Sequence, residues 1–360
     1  MGAARAAGVL AEPLSREGLS GAQAVPGPVP MAHVRGAMLV GLSMLVLALA
    51  AIPAVHADLA TEPCPAEAAV LASEGAASQA RARYENDVGF VGVVALVGVD
   101  GLVAVFDLDA RGGSPLPAPS TLPDGTVVHV DATRFQTLLE PLPAEGEPAV
   151  VPTPCDNHIG PGAHITTPIG GCTANVAFTD QNGRYYLSTA GHCIAVGQRM
   201  SIVGLGPVGT AVYRINGGIG QDFALVLLDA GLVPDPAICH WGGPTGVAAG
   251  NQAGLVRLFG HGVIWGQNDL TRPRTALSLI TDAGADSFEA NGLVSSGDSG
   301  SPARLDNGEH LGVITHVNLP LILFAQSAPT FWGTQLHHAI DLAEAGTGLD
   351  LTLMTAPVAA

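Results

Sequence analysis

The sequence contains no lysine: all 14 basic residues are arginine, set against 31 acids, for a net charge of −17 over 360 residues. A chain this acidic repels a phosphate backbone, which argues against a nucleic-acid partner. Charged residues make up only 12% and aromatic ones 4%, while the 48% hydrophobic fraction can fill one large core or two modest ones. The chain is therefore read as globular. Ligand spacing is also missing. His158, His164, His240, His261 and His310 form no H-x-x-x-H or Cys/His pattern, and the adjacent His337 and His338 cannot share a helix face. Neither a metal nor another cofactor is expected.

Long apolar runs are scarce. The main one lies in "MAHVRGAMLVGLSMLVLALAAIPAVHADLA", which starts at Met31, has Arg35 before an apolar run from Ala37 to Ala51, and ends in the small-residue pattern "AVHA". This is the layout of a secretory signal peptide over 31–57, cleaved after Ala57, the alternative being an uncleaved anchor. Met31 is read as the true start and residues 1–30 as a mis-assigned extension. Export puts the cysteines where pairing is the default. There are five, Cys64, Cys155, Cys172, Cys193 and Cys239, so one is left over, and Cys64 near the mature N-terminus is the one expected.

Residues 58–150 read as a small α+β region. "PAEAAVLASEGAASQARARY" suits a helix, "FVGVVALVGVDGLVAVFDLD" reads as two strands joined at Asp100-Gly101, and "TVVHVDATRF" is another strand. "EPLPAEGEPAVVPTPC" has no periodicity and reads as a linker. From about residue 151 to 360 short strands alternate with Gly, Pro, Asn and Asp, which predicts an all-β barrel or sandwich. "GTQLHHAIDLAEAGTG" predicts a C-terminal helix with Leu336 and Ile340 on one face and Gly346 as its stop.

Three motifs in this domain carry chemistry. Acyl transfer by a serine needs a base, an acid to orient it, and N–H donors for the oxyanion. "LSTAGHC" offers His192 at the end of an apolar strand, "GQDFALVLLD" offers Asp222 at the head of one, and "GDSGSP" offers Ser299. Their order along the chain, together with the opening "GCTANVAF…YYLSTAGHC", resembles the chymotrypsin-like (trypsin family) serine peptidases, and is most similar to the bacterial streptogrisin and α-lytic protease branch. The resemblance covers about Cys155 to the C-terminus.

It implies two six-stranded antiparallel β-barrels with a C-terminal helix, Ser299 as nucleophile, His192 as base and Asp222 as its orienting carboxylate. It also implies an oxyanion hole from the backbone N–H groups of Gly297 and Ser299, and a cation to anchor Asp298, for which Arg257 is the candidate. It pairs Cys172 with Cys193, and elimination leaves Cys155 with Cys239. Leu293 takes the position that floors the primary pocket, so preference for Arg or Lys is not expected. Thr315, His316 and Val317 fall on the substrate-pairing strand, Thr315 within reach of Asp222. The pocket is either apolar or, through His316 and Ser296, suited to an acidic side chain. The resemblance further implies that residues 58–150 are a propeptide, the alternative being a permanent companion domain. The expected protein is an exported, monomeric serine endopeptidase acting on protein or peptide, with no membrane association after signal cleavage. An inactive binding protein or an esterase with the same three residues are the rivals.

Overall fold

Helix α1 (Pro65–Tyr84) carries Arg81 and Arg83 in its last turn, matching the negative end of the helix dipole. Its Ala76, Ala77, Ala80 and Tyr84 pack on a sheet built from β1 (Phe90–Val94), β2 (Leu102–Asp107), β3 (Ser120–Thr121) and β4 (Val127–Thr133), in the order β1-β2-β4-β3. One further turn of helix, α2 (Leu108–Arg111), follows β2 and is capped by Asp107. The computed structural model describes residues 65–94, 101–142, 155, 157–250, 252–264, 270–278, 286–318 and 330–359, all within the unit Pro63–Ala360. The expected signal peptide, Cys64, Asp100 and residues 143–154 of the expected linker lie outside the described residues.

Strand β2 is apolar on both faces, and its period of two explains why. Leu102, Ala104 and Phe106 meet α1, while Val103 and Val105 cluster with Trp332 of the main domain. The N-terminal region is thus packed onto the main domain. After β4 the chain leaves its own sheet, and β5 (Phe135–Thr137) pairs antiparallel with a strand of that domain.

The first barrel holds β6 (His164–Thr166), β7 (Gly171–Thr173), β8 (Ala177–Asp180), β9 (Tyr185–Thr189), β10 (Arg199–Ile202), β11 (Gly206–Asn216) and β12 (Asp222–Leu228), in the order β8-β9-β12-β11-β10-β6-β7. Strands β7 and β8 are successive parts of one run, the first paired to β6 and the second to β9, so the sheet returns on itself. Ile165, Phe178, Leu187, Met200, Phe223 and Leu225 are among the residues that fill it.

The second barrel contains β13 (Gly246–Val247), β14 (Gly254–Phe259), β15 (Pro273–Ser278), β16 (Ser287–Asn291), β17 (Pro302–Leu305), β18 (Glu309–Asn318) and β19 (Thr330–Gln335). Here β18-β17-β14-β15-β16-β19 is closed by a β18–β19 pairing into a six-stranded antiparallel barrel. Helix α3 (Leu336–Thr347) follows, and β20 (Leu351–Leu353) returns to pair with β8. The helix does not stop at Gly346. It buries Leu336, Ala339 and Ala343 and ends at Gly348, whose φ of 70° gives the left-handed cap. Gly346 is instead a packing position, where a Cβ would lie 2.5 Å from the Tyr213 ring. The architecture is the all-β double barrel expected, with its α+β N-terminal region and C-terminal helix.

Candidate active site

Strands β9 and β12 run side by side, Ala224 opposite Thr189, so the turn that follows β9 lies next to the first residue of β12. That places His192, in the single 3-10 turn Gly191–Cys193, against Asp222. Asp222 is fully buried and grips His192 twice: one carboxylate oxygen accepts the His192 backbone N–H at 2.9 Å, and the other lies 2.6 Å from Nδ1. With Nδ1–H committed to a carboxylate, Nε2 is left as the acceptor. It faces Ser299 Oγ at 2.6 Å. The structure therefore joins the three side chains singled out by motif in one hydrogen-bonded line, at the junction of the two barrels.

Ser299 belongs to the second barrel, on the loop between β16 and β17. The first barrel holds that loop in place: Thr173 N–H donates to the Ser299 carbonyl at 2.7 Å and Thr173 Oγ1 to the Gly297 carbonyl at 2.8 Å. Gly297 has a φ of 97°, and a Cβ there would come within 2.2 Å of the His261 carbonyl oxygen, so only glycine fits. Its N–H points into the cleft, where it donates to the carbonyl of Leu138 at 2.5 Å.

Asp298 does not pair with Arg257. Its fully buried carboxylate is held bidentately by Arg274 of β15, Nη1 lying 2.7 Å from Oδ2 and Nη2 contacting Oδ1, and it accepts the Ser295 N–H at 2.8 Å. Arg257 sits half-buried on β14, over the Trp241 ring and bonded to Asp306 at 2.7 Å. Both cysteine pairs, Cys172–Cys193 and Cys155–Cys239, lie at bonding distance.

The cleft contains the chain's own residues 135–140. Strand β5 lies on β18, pairing Gln136 with Val317 and Thr137 with His316. Leu138 N–H donates to the Thr315 carbonyl at 3.2 Å. The Leu138 side chain is 2% exposed and joins the apolar cluster that includes Val294, Ile314, Val317 and Phe331. Leu138 thus lies among apolar side chains of the second barrel. Leu293, expected to floor the primary pocket, is 42% exposed, and the neighbouring Val294 takes the buried position. Ser296 is half-buried, and its carbonyl accepts the Val263 N–H. His316 turns toward the Asp222–His192 pair: Nδ1 is 2.8 Å from Thr315 Oγ1 and 3.8 Å from Asp222, and the ring stands edge-on to His192 at 6.0 Å. Burial lowers its pKa from the usual 6.5 to about 4, although Asp222 opposes the shift. Thr315 Oγ1 donates to the Trp332 carbonyl at 3.3 Å and not to Asp222.

Sequence reading missed Leu138, Glu140, His164 and His261. Glu140 pairs with Gly171, and its carboxylate lies 3.2 Å from His164 Nε2, whose ring stacks on His261 at 3.5 Å. These three form one of two groups among the described residues close enough to hold a metal; the other, Cys172, His192 and Cys193, has both sulfurs in the disulfide. The signal was present only as "QTLLE", whose glutamate opens the stretch read as a linker, and as histidines without local spacing.

A cleft between two antiparallel barrels, with His192 and Asp222 on one and Ser299 on the other, is the arrangement of the chymotrypsin-like fold. Among solved structures, the chain is similar to a Nocardiopsis protease (17% identity, TM-score 0.39, covering 54% of this chain and 98% of that one). It is also similar to Thermobifida fusca protease A (15%, 0.38, 54% and 99%) and to Cellulomonas bogoriensis chymotrypsin (16%, 0.38, 54% and 99%). No family model matches the chain, and no curated protein matches it by sequence.

Proposed function

We propose that this chain is an exported serine endopeptidase that cleaves peptide bonds through an acyl-enzyme. One observation carries the reading: a line of hydrogen bonds from Asp222 through His192 to Ser299, ending where the Gly297 N–H meets a peptide carbonyl. In that geometry Ser299 Oγ attacks the carbonyl carbon while His192 Nε2 takes its proton. Asp222 fixes the tautomer and stabilises the imidazolium, and the amides of Gly297 and Ser299 hold the developing oxyanion. His192 then protonates the departing amine, and water repeats the sequence on the ester.

The cleft's occupant is an extended peptide, which favours peptide substrates over small esters. The two cysteine pairs suit an oxidising compartment, in line with a signal peptide at 31–57. The region from 58 to about 150 serves as a propeptide on this reading, and the mature enzyme acts as a monomer. Labelling by a fluorophosphonate tests the proposal. Ser299 reacts in the chain once the cleft is free, and His192→Ala abolishes the reaction; folded protein with a free cleft and no labelling would overturn it.

A further inference from the structure

We infer that the peptide bond between Leu138 and Leu139 is the first bond this site cleaves, and that the cleft reads leucine before that bond and glutamate two residues beyond the leucine. The inference rests on the peptidase reading above.

The segment is held on both sides of the bond as a substrate would be. On the near side Gln136 and Thr137 extend β18 as an added strand, and Leu138 N–H reaches the Thr315 carbonyl at 3.2 Å. On the far side Glu140 and Gly171 exchange two backbone hydrogen bonds, each 2.9 Å. Between them the Leu138 carbonyl accepts the Gly297 N–H at 2.5 Å, and Ser299 Oγ lies 3.3 Å from the same Thr315 oxygen that Leu138 binds. Strand addition of this kind supplies affinity through the main chain and leaves selectivity to the pockets.

Two pockets are engaged. The apolar one takes Leu138, which is 2% exposed. The second is made by the stacked His164 and His261, both buried: His164 Nε2 lies 3.2 Å from the Glu140 carboxylate, and His261 has a ring nitrogen within 4.8 Å of it. Glycine makes room for it: a Cβ on Gly171 would stand 2.6 Å from Glu140 Oε2, and one on Gly170 2.3 Å from the Glu140 carbonyl oxygen. A carboxylate taken largely out of water needs such polar partners.

The step follows from the same machinery. Ser299 Oγ bonds to the Leu138 carbonyl carbon, and its proton passes to His192. The bond to the Leu139 nitrogen breaks as His192 returns that proton to it, giving a new amino terminus at Leu139. Water then splits the Leu138 ester, its hydroxyl going to Leu138 and its proton to Ser299, which leaves a carboxylate on Leu138. Until then the segment excludes other substrates, so the uncut chain is inactive toward them.

Full-length chain and its Ser299→Ala variant, compared by intact mass and N-terminal sequencing, test the assignment. The unaltered chain is expected to show a new terminus at Leu139, and the variant to stay joined. Cutting only within 143–154, or an uncut chain that hydrolyses added peptide, overturns the assignment and leaves the peptidase reading standing. An uncut chain that neither labels nor hydrolyses anything, even with the cleft emptied by deletion of 135–140, takes both down. A peptide of residues 133–142, given to the processed enzyme, is expected to be cut between its leucines. Glutamine in place of its glutamate should raise KM about tenfold with kcat little changed. His164→Gln should abolish the difference between the two peptides, and equal KM values with the unaltered enzyme would overturn the glutamate pocket.

Discussion

Asp222 holds His192 at two points, accepting its backbone N–H at 2.9 Å on Oδ1 and its ring Nδ1–H at 2.6 Å on Oδ2. One contact fixes where the residue sits and the other fixes which ring nitrogen carries the proton. An asparagine can accept only one of them and must turn its NH₂ toward the other donor. Asp222→Asn should therefore fold normally but lower kcat about 10⁴-fold with KM little changed. Steady-state kinetics on a chromogenic peptide with leucine before the cut bond would check this, and a loss confined to KM would count against Asp222 as the orienting group.

The Arg274–Asp298 pair is buried on both sides and the Arg257–Asp306 pair is not, so their removal should differ sharply. Arg274→Met leaves a fully buried carboxylate with no cation and should cost about 3–5 kcal/mol. Arg257→Met breaks a half-exposed pair and should cost about 1 kcal/mol or less. Urea midpoints of the two variants, measured on Ser299→Ala protein to prevent self-digestion, test the contrast. Equal losses would mean that the Asp298 loop is not anchored by Arg274.

These two pairs also show what the sequence could and could not reveal. His192, Asp222 and Ser299 were legible because each sits in a local context that constrains its backbone: a strand end, a strand start, and a glycine-flanked turn. Their convergence needs only that neighbouring strands pair. The partner of Asp298 depends instead on which residue of two adjacent strands turns inward at the barrel end. Arg257 and Arg274 lie one register step apart, Arg274 opposite Leu258, and motif spacing carries no information on that step. Residues 135–140 were hidden for a similar reason. A strand that pairs outside its own sheet looks like any short apolar stretch, and the His164–His261 stack joins residues from different barrels. The all-β class was legible from strand length and turn residues. The two-faced burial of β2 was visible only as an unbroken apolar run, without the partner for each face.

Two buried histidines contribute to the loss of stability in acid. Burial lowers His310, which bonds Asn175 Oδ1 through Nε2 at 2.9 Å, from 6.5 to about 3. Burial also lowers His316 to about 4. Below 6.5 the unfolded chain takes up protons that the folded chain refuses, so stability is fully present above that value and is lost as pH falls toward 4 and then 3. Each group contributes a slope of up to about 1.4 kcal/mol per pH unit within its window. Urea unfolding of Ser299→Ala protein from pH 3 to 8 should show the decline, and adding His310→Gln should remove one proton's share of the slope. An unchanged slope in that variant would mean that His310 titrates normally in the folded chain.

Glu289 acts with the opposite sign. Phe288 and Ala290 fill the second barrel, so Glu289 between them faces the other way, beside its cross-strand neighbour Trp332. That is the side on which Trp332 clusters with Val103 and Val105 of the N-terminal sheet. Neither carboxyl oxygen has a hydrogen-bond partner among the described residues, and burial pushes its pKa well above the usual 4.5. Above 4.5 the unfolded chain releases a proton that the folded chain retains. The contribution is therefore favourable below 4.5 and is lost as pH rises through the raised folded value. Glu289→Gln matches the protonated side chain in shape and cannot ionise, so it should leave stability near pH 4.5 unchanged. It should gain on the parent by up to about 1.4 kcal/mol for each pH unit above that, until the folded carboxyl itself ionises. Paired urea titrations at pH 4.5, 6 and 7.5 on Ser299→Ala protein measure the gap; a gap that does not widen with pH would show that Glu289 is ionised and stabilised in the fold.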